Sequence, residues 1–245
     1  MCKNISAIFK RELTGYFETP VAYVFMVVFL MLSGIFTFYI GGFYEMRSAD
    51  LTAFFNWHPW LYLFLIPAIS MRLWSEERRN GTIELLMTLP ITTFEAVMGK
   101  FLAAWCFIVI SLFLTFPIWL TVNYLGDPDN GVILLSYVAS ILMGGAFLSI
   151  GAGVSALTAN QVVSFVISVM VCFLFIVSGF PMVLDFFSSM GLPQSIIDTV
   201  SSLSFMTNFG EILKGVLSLK NIIFFVSMIV LWLFVNVVTV ENRRA

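Results

Sequence analysis

The stretch MRLWSEERRNGTIELLMTLPITTFEAVMGK, Met71–Lys100, is a long polar passage between two segments hydrophobic enough to cross a bilayer. It holds four of the chain's twelve basic residues. An excess of Lys and Arg is typical of the cytoplasmic side of a membrane protein, so we expect this stretch to be cytosolic. Four glutamates balance the cations, which argues against a polybasic lipid-binding surface.

The middle of the stretch predicts a short helix. Asn80-Gly81 is a turn signal, Thr82 suits an N-cap, and Glu84 would then meet the positive end of the helix dipole. Pro90 should end the helix near Leu89, because the residue before a proline avoids the α conformation. A cytosolic helix that is apolar nearly all round must be covered by other protein. Its apolar residues are Ile83, Leu85, Leu86, Met87 and Leu89.

Thr92 and Glu95 form a T-x-x-E capping box, which predicts the start of the next helix. The short helix before this box has two interpretations. It is a connector that packs on the chain's own membrane helices, or it is a docking element for a cytosolic partner. The residues alone leave both interpretations open.

The composition is that of a multi-pass membrane protein. The 245 residues are 60% hydrophobic and 11% charged, whereas soluble domains are roughly 45 to 50% apolar. The net charge of −2 and the lack of a basic face argue against nucleic-acid binding.

The cysteines and the histidine indicate no special chemistry. Cys106 and Cys172 fall inside apolar segments and Cys2 lies at the expected cytosolic start, so no disulfide framework is expected. The single histidine, His58, stands beside Pro59 with no second His or Cys nearby. We interpret it as an interfacial residue and not as a metal ligand.

Six apolar segments predict an all-α integral membrane protein with six transmembrane helices. The expected spans are residues 21–40, 56–74, 93–125, 132–157, 162–180 and 221–240. Pro67 should kink the second span. The third would be about 48 Å long at the helical rise of 1.5 Å per residue. It therefore either projects into the cytosol or bends at Pro117.

Three further features complete the expected fold. Residues 1–19 should form an amphipathic interfacial helix on the inner leaflet, because their apolar side chains recur at helical spacing. Residues 185–219 are too broken for a span yet too apolar for a free loop, which predicts short, partly re-entrant helices in the outer leaflet. Gly145, Ser149 and Gly153 form a small-x-x-x-small face that favours close helix packing over a substrate path.

The distribution of basic residues predicts the orientation. Nine fall on one side of the six-span arrangement and three, Arg47, Lys214 and Lys220, on the other. The positive-inside rule then places both termini, the polar stretch and the 158–161 turn in the cytosol. We expect residues 1–245 to form a single membrane domain.

Three strings, in order along the chain, carry a family resemblance. They are E-E-R-R-x-G-T-x-E-L-L-x-T-x-P-I at residues 76–91, S-A-L-T-x-N-Q at 155–161, and the region 203–244 that closes with E-x-R-R. The chain thereby resembles the ABC-2 type transporter permeases, and within them the gliding-motility subgroup that includes GldF. Lys214 stands before Gly215 where that subgroup would have arginine.

The resemblance implies a permease subunit of an ATP-driven exporter in the bacterial cytoplasmic (inner) membrane. Its implied partners are two copies of a separate ABC ATPase, which hold ATP and Mg²⁺, and a second copy of the chain or a related permease. The resemblance leaves open whether an accessory periplasmic or membrane subunit also takes part. Residues 75–92 become the coupling region, with a cytosolic coupling helix between spans 2 and 3. The residues assigned to ATPase coupling are Glu76, Glu77, Arg78, Arg79, Gly81, Thr82, Ile83, Glu84, Leu85, Leu86, Thr88 and Pro90.

The chain itself should not be an enzyme. It has no G-x-x-x-x-G-K-[ST] string to bind ATP, and no Ser/His/Asp set, carboxylate pair or metal cluster, so no cofactor is expected in it. The alternative function is a motor-independent secondary transporter or membrane scaffold. Ion-coupled carriers usually keep ionisable groups at mid-membrane, whereas Asp185, the acidic residue nearest a span interior, lies close to the expected outer end.

We predict from the charge distribution that Asn80 is cytosolic and Ser48 external. On a background without Cys2, Cys106 and Cys172, Ser48→Cys should react with an impermeant thiol reagent applied to intact cells. Asn80→Cys should react only after the membrane is opened. Labelling of Asn80→Cys from outside would contradict the predicted orientation.

Overall fold

The structure, a computed structural model, describes residues 2–46, 48–82, 90–216 and 218–242, and every regular element in these ranges is helical. A π-helical turn, Phe36–Ile40, extends the second helix. The helices are α1 (Cys2–Glu18), α2 (Pro20–Ile35), α3 (Thr52–Asn56), α4 (His58–Ser70), α5 (Arg72–Arg79), α6 (Thr93–Phe113), α7 (Phe116–Leu125), α8 (Asn130–Leu157), α9 (Gln161–Val177), α10 (Pro181–Ser189), α11 (Gln194–Ser202), α12 (Phe205–Leu213) and α13 (Leu219–Asn242).

The described residues contain four helical segments that are long and apolar enough to cross a membrane. They are Pro20–Ile40, Thr93–Leu125, Asn130–Leu157 and Leu219–Asn242. A fifth results if α9 and α10, which meet at a bend of 77°, form one broken span. The all-α, multi-pass architecture is therefore confirmed, with four to five candidate spans. The expected second span, residues 56–74, does not form one long helix.

A serine from another helix explains where the second apolar segment breaks. The Ser155 hydroxyl of α8 donates to the Met71 carbonyl at 3.0 Å and accepts from the Ser75 amide at 3.1 Å and the Trp74 amide at 3.2 Å. It thus stands between the Met71 carbonyl and the Ser75 amide, which a continuous helix would pair. Insertion of a side chain into this ladder breaks a helix. The break falls here, while Pro67 lies inside the continuous α4.

The third apolar segment is interrupted at Leu114–Thr115, between α6 and α7. Pro117, in the first turn of α7, lacks an N–H, and in a continuous helix its ring would collide with the carbonyl of Phe113, four positions earlier. The interruption therefore occurs two residues before the proline that predicted it.

Helix α8 lies at the centre of the bundle. Every residue from Met143 to Ala156 is buried. The helix packs against α4, α5, α6, α9, α12 and α13. Such contact on all sides requires small side chains: a Cβ added to Gly144 would lie 3.3 Å from Ile108 Cγ2, and one added to Gly151 would lie 2.7 Å from Ser70 Cβ.

Helix α1 runs alongside the first half of α6 and in the same direction. The Asn4 amide donates to the Glu95 carboxylate at 3.2 Å, and the Tyr16 ring stacks on Phe107 at 5.2 Å between centroids. The expected helix at residues 1–19 is present as Cys2–Glu18. Its apolar side chains, which we expected on the inner leaflet, contact α6.

The bundle has two distinct ends. The Arg78 side chain donates to the Ala156 carbonyl at 2.7 Å, which brings the end of α5 to the end of α8. At the opposite end, Gly126 lies against Ala49 and Gly215 against Val132. The loops that the charge pattern assigned to opposite sides are therefore at opposite ends of the molecule.

The region 185–219 contains α11, α12 and parts of its neighbouring helices. Helix α12 is well packed: Phe205 is fully buried and stacks on Phe147 of α8 with 4.8 Å between ring centroids. The Asn208 side chain donates to the carbonyls of Ser202 and Ser204, both at 2.8 Å. The Asn208 side chain thus supplies hydrogen bonds to two carbonyl groups of the irregular backbone before α12.

The interpretation of His58 as interfacial is wrong, because the side chain is fully buried. Its Nδ1 lies 2.9 Å from Ser140 Oγ of α8. Aromatic rings enclose it, with Phe54 at 4.5 Å and Tyr62 at 5.5 Å between centroids. The contact with Ser140 comes from a helix far along the chain, so adjacency to Pro59 did not indicate it.

We predict that Gly151→Ala destabilises the protein by about 1–3 kcal/mol, the usual cost of an overpacked core. The added methyl group would collide with both side-chain atoms of Ser70, and the Cβ contact can be relieved only by moving α4. Gly34→Ala is the matched control, because its helical position has open space around it. It should stabilise by up to about 1 kcal/mol. Thermal unfolding in mild detergent measures both; equal effects would contradict the close contact.

Candidate functional site

The residues assigned from sequence to the coupling region are only partly described by the structure. Glu76, Glu77, Arg78, Arg79, Gly81 and Thr82 precede the gap at residues 83–89, and Pro90 follows it. Ile83, Glu84, Leu85, Leu86 and Thr88, and the predicted short helix they belong to, lie outside the described residues. The site is therefore built from the two ends of the segment and the helices that hold them.

Two side chains attach the leading end, α5, to the end of α8. Ser155 binds the first turn of α5 as described above. Arg78 in its last turn donates to the Ala156 carbonyl. The final carbonyls of a helix lack intrahelical partners, and a cation near them is favourable. Helix α5 is therefore fixed at both of its ends to one neighbouring helix.

Lys100 of α6 forms a second attachment. Its Nζ lies 2.7 Å from Glu77 Oε1 of α5 and 3.2 Å from Glu12 Oε2 of α1. It also stands 5.5 Å from the centre of the Trp74 ring, within the range of a cation–π contact. The Lys100 side chain is only 4% exposed. Buried charges need partners, and here two carboxylates from two helices supply them.

Glu12 is held ionised by this arrangement. Burial alone would raise the pKa of Glu12, but the Lys100 ammonium and the Arg11 guanidinium, 2.7 Å away, together hold that pKa below its usual range. Because the pKa is depressed, the contribution of Glu12 to stability is present above the ordinary glutamate value of about 4.3. It is lost as the pH falls through the lower value of the folded state.

The predicted turn at Asn80-Gly81 is present and ends α5. The Asn80 amide donates to the Glu76 carbonyl at 3.0 Å, and Gly81 has φ of +70°. Glycine adopts this left-handed conformation without the penalty of a Cβ, which is why it commonly follows a helix end. The Thr82 hydroxyl donates back to the Glu77 carbonyl at 3.3 Å.

The trailing end of the segment is held by the capping box, which the structure confirms. The Glu95 amide donates to Thr92 Oγ1 at 3.2 Å, and the Thr92 amide donates to Glu95 Oε2 at 2.9 Å. The same Glu95 oxygen accepts from the Asn4 side chain of α1. The start of α6 is therefore tied to α1.

Sequence reasoning missed Lys100, Glu12 and Ser155 as members of this site. A signal for Lys100 was present, since a lone cation in an otherwise apolar helix must find a partner. The identity of its partners depends on the tertiary fold, because Glu12 lies 88 residues away in sequence.

The small residues of α8 lie against two tryptophans of the same chain. A Cβ added to Gly145 would lie 3.0 Å from Trp105 of α6, and one added to Gly153 would lie 3.0 Å from Trp232 of α13. Ser149 is fully buried and donates to the Ala146 carbonyl at 2.8 Å. These positions contact other helices of the bundle.

The fold and the site define an all-helical multi-pass membrane protein with an anchored polar connection at one end. No group of three or more His, Cys, Asp or Glu residues that could hold a metal ion occurs in the described ranges. A family model described as ABC-2 family transporter protein matches residues 36–240. The chain therefore belongs to the ABC-2 transporter family. A search of the curated proteins found no match to it.

Family membership gives the coarse function directly. The chain is a membrane permease subunit of an ABC transporter, and such permeases pair with an ABC ATPase.

We predict that Lys100→Met destabilises the protein by about 3 kcal/mol, the lower end of the cost of breaking a buried ion pair. Glu12 and Glu77 would lose their shared cation, although each keeps nearly a fifth of its side chain exposed. Arg11→Gln is the control: its side chain is 58% exposed, and an exposed pair contributes at most about 1 kcal/mol. Chemical denaturation in detergent compares them; similar losses would refute the role of Lys100.

Proposed function

We propose that residues 75–92 couple the permease to a separate cytosolic ATPase and transmit its movement to the membrane helices. The observation that supports this most directly is the anchoring of both ends of the segment. The leading end is bound to α8 through Ser155 and Arg78, and to α6 through the Glu77–Lys100 pair. The trailing end is bound to α1 through Glu95.

This anchoring suits a segment that carries force. A displacement of residues 83–89 pulls on α5 and on the first turn of α6, which flank them directly. Because Ser155 and Ala156 lie at the end of the central helix α8, a shift of α5 also acts on the helix that contacts most of the bundle. Packed interiors transmit displacement because they have few voids and low compressibility.

The orientation follows from charge. The end of the bundle that carries α5 and the start of α1 also carries most of the basic residues of the described chain, so we place it in the cytosol, with both termini on that side. ATP and Mg²⁺ then bind the partner ATPase. We assign the complex to the bacterial inner membrane and to export, the direction that resemblance to the gliding-motility permeases favours.

We further propose that two copies of the chain, or this chain and a related permease, assemble with two ATPase copies. Supporting this, α2 and α9 present apolar faces that one copy leaves exposed, with Val27 and Met31 of α2 about as exposed as Met170 and Leu174 of α9. A two-fold arrangement would bring the first, second and fifth apolar segments toward the partner copy.

The proposal predicts that Leu86→Asp releases the ATPase or uncouples ATP hydrolysis from transport. An unpaired charge placed in an apolar pocket of the partner weakens the binding free energy by about 2 kcal/mol or more. Membrane insertion and permease assembly should be unchanged, because the predicted short helix lies outside the apolar spans. The measurements are co-purification of the ATPase, substrate-stimulated hydrolysis and transport.

Glu84→Gln is the matched control in the same predicted helix. It removes only an interaction with the helix dipole, of roughly 0.3 to 1 kcal/mol, and should retain coupling. If Leu86→Asp protein keeps its ATPase, its stimulated hydrolysis and its transport, residues 83–89 are only a connector.

A further inference from the structure

A cleft of about 620 Å³ opens between α1, α2, the α4–α5 pair and α6. This volume lies within the roughly 300–1,000 Å³ range of ligand sites in proteins. Its lining changes from apolar to charged along its length. The apolar part includes Val24 and Val28 of α2 and Leu65 of α4, and the charged rim includes Glu18, Arg72 and Glu76.

The apolar part has the depth of one bilayer leaflet. From Val28 to Thr19 along α2 the helical rise corresponds to about 14 Å. Half of a hydrocarbon core of about 30 Å is a similar distance. Because α2 belongs to the candidate span Pro20–Ile40, this part of the cleft lies at membrane depth and its charged rim at the membrane surface.

Most of the rim charges neutralise each other, and three do not. Lys100 pairs with Glu12 and Glu77, and Arg11 pairs with Glu12. No side-chain ion pair or hydrogen bond joins Arg72, Glu18 or Glu76 to the rest of the described chain. The rim therefore offers one guanidinium and two carboxylates.

We propose that the cleft binds a phospholipid with a primary ammonium headgroup, of the phosphatidylethanolamine type. The Arg72 guanidinium meets the phosphate, because arginine binds phosphate oxygens with paired N–H donors. Glu18 and Glu76 accept hydrogen bonds from the ammonium group. An acyl chain lies along the apolar walls of α2 and α4. The site shares Glu76 with the proposed coupling segment, residues 75–92, but includes none of residues 83–89.

The headgroup chemistry distinguishes phosphatidylethanolamine from other phospholipids. Phosphatidylglycerol carries no cation, so the two carboxylates would repel it. Phosphatidylcholine carries a cation without N–H groups, which cannot donate to the carboxylates. The free headgroup glycerophosphoethanolamine lacks the acyl chains that would occupy the apolar part.

The test uses the 245-residue protein, purified in detergent and freed of bound lipid. It is titrated with phosphatidylethanolamine, phosphatidylglycerol and phosphatidylcholine that carry the same acyl chains. Native mass spectrometry counts the lipid molecules bound. Phosphatidylethanolamine should bind about tenfold more tightly than the other two, the equivalent of one charge-assisted hydrogen bond. Excess glycerophosphoethanolamine should not displace it. Equal binding of all three lipids would overturn the proposal.

Variants locate the site. Arg72→Gln should weaken phosphatidylethanolamine binding by about tenfold, and Glu76→Gln should remove the preference over phosphatidylglycerol by a similar factor. Val24→Trp, which fills the apolar part without touching the rim, should also reduce binding. Lys10→Gln is the control, because Lys10 is an exposed cation of α1 outside the cleft.

Unfolding temperatures of the variants in the same detergent show that the protein remains folded. Binding that survives both Arg72→Gln and Val24→Trp would place the lipid elsewhere. A wild-type protein that binds no lipid because a second copy covers the cleft would also overturn the proposal.

Discussion

The insertion of the Ser155 hydroxyl between the Met71 carbonyl and the Ser75 amide is the interaction on which the polar end of this protein depends. It lies where α4 ends and α5 begins, and it ties this junction to the end of α8. The hydroxyl occupies the position at which a continuous helix would pair the Met71 carbonyl with the Ser75 amide. The contact therefore anchors α5 to the central helix.

The attachment of α5 to α8 through Ser155 involves the helix at the centre of the bundle. A helix buried on all sides is possible only where its side chains are small enough to admit its neighbours, and the glycines of α8 meet this requirement against Ser70, Trp105 and Trp232. In a bilayer, packing and interhelical hydrogen bonds, and not hydrophobic burial, hold helices together. Close packing therefore joins the Ser155 end of α8 to the helices around it.

The ion-pair cluster around Lys100 adds α1 to the same unit. Glu12 connects α1, Glu77 connects α5, and Lys100 belongs to α6. The amphipathic pattern of α1 is compatible with a membrane surface and with a protein surface, and here α6 covers the apolar face. The three helices also form part of the walls of the cleft proposed to hold a lipid, together with α2 and α4.

Features that depend on neighbouring residues could be predicted from the sequence. These include the helical character of the apolar segments, the capping box at Thr92 and the turn at Gly81, because hydrogen bonds over three or four residues decide them. The break at Met71, the burial of His58 and the partners of Lys100 depend on the tertiary fold. Ser155 lies 84 residues from Met71, and Ser140 lies 82 residues from His58. Lys100 pairs with Glu12, 88 residues away, and with Glu77, 23 residues away. Local periodicity carries no information about which helix will supply that side chain, since the choice is made by packing.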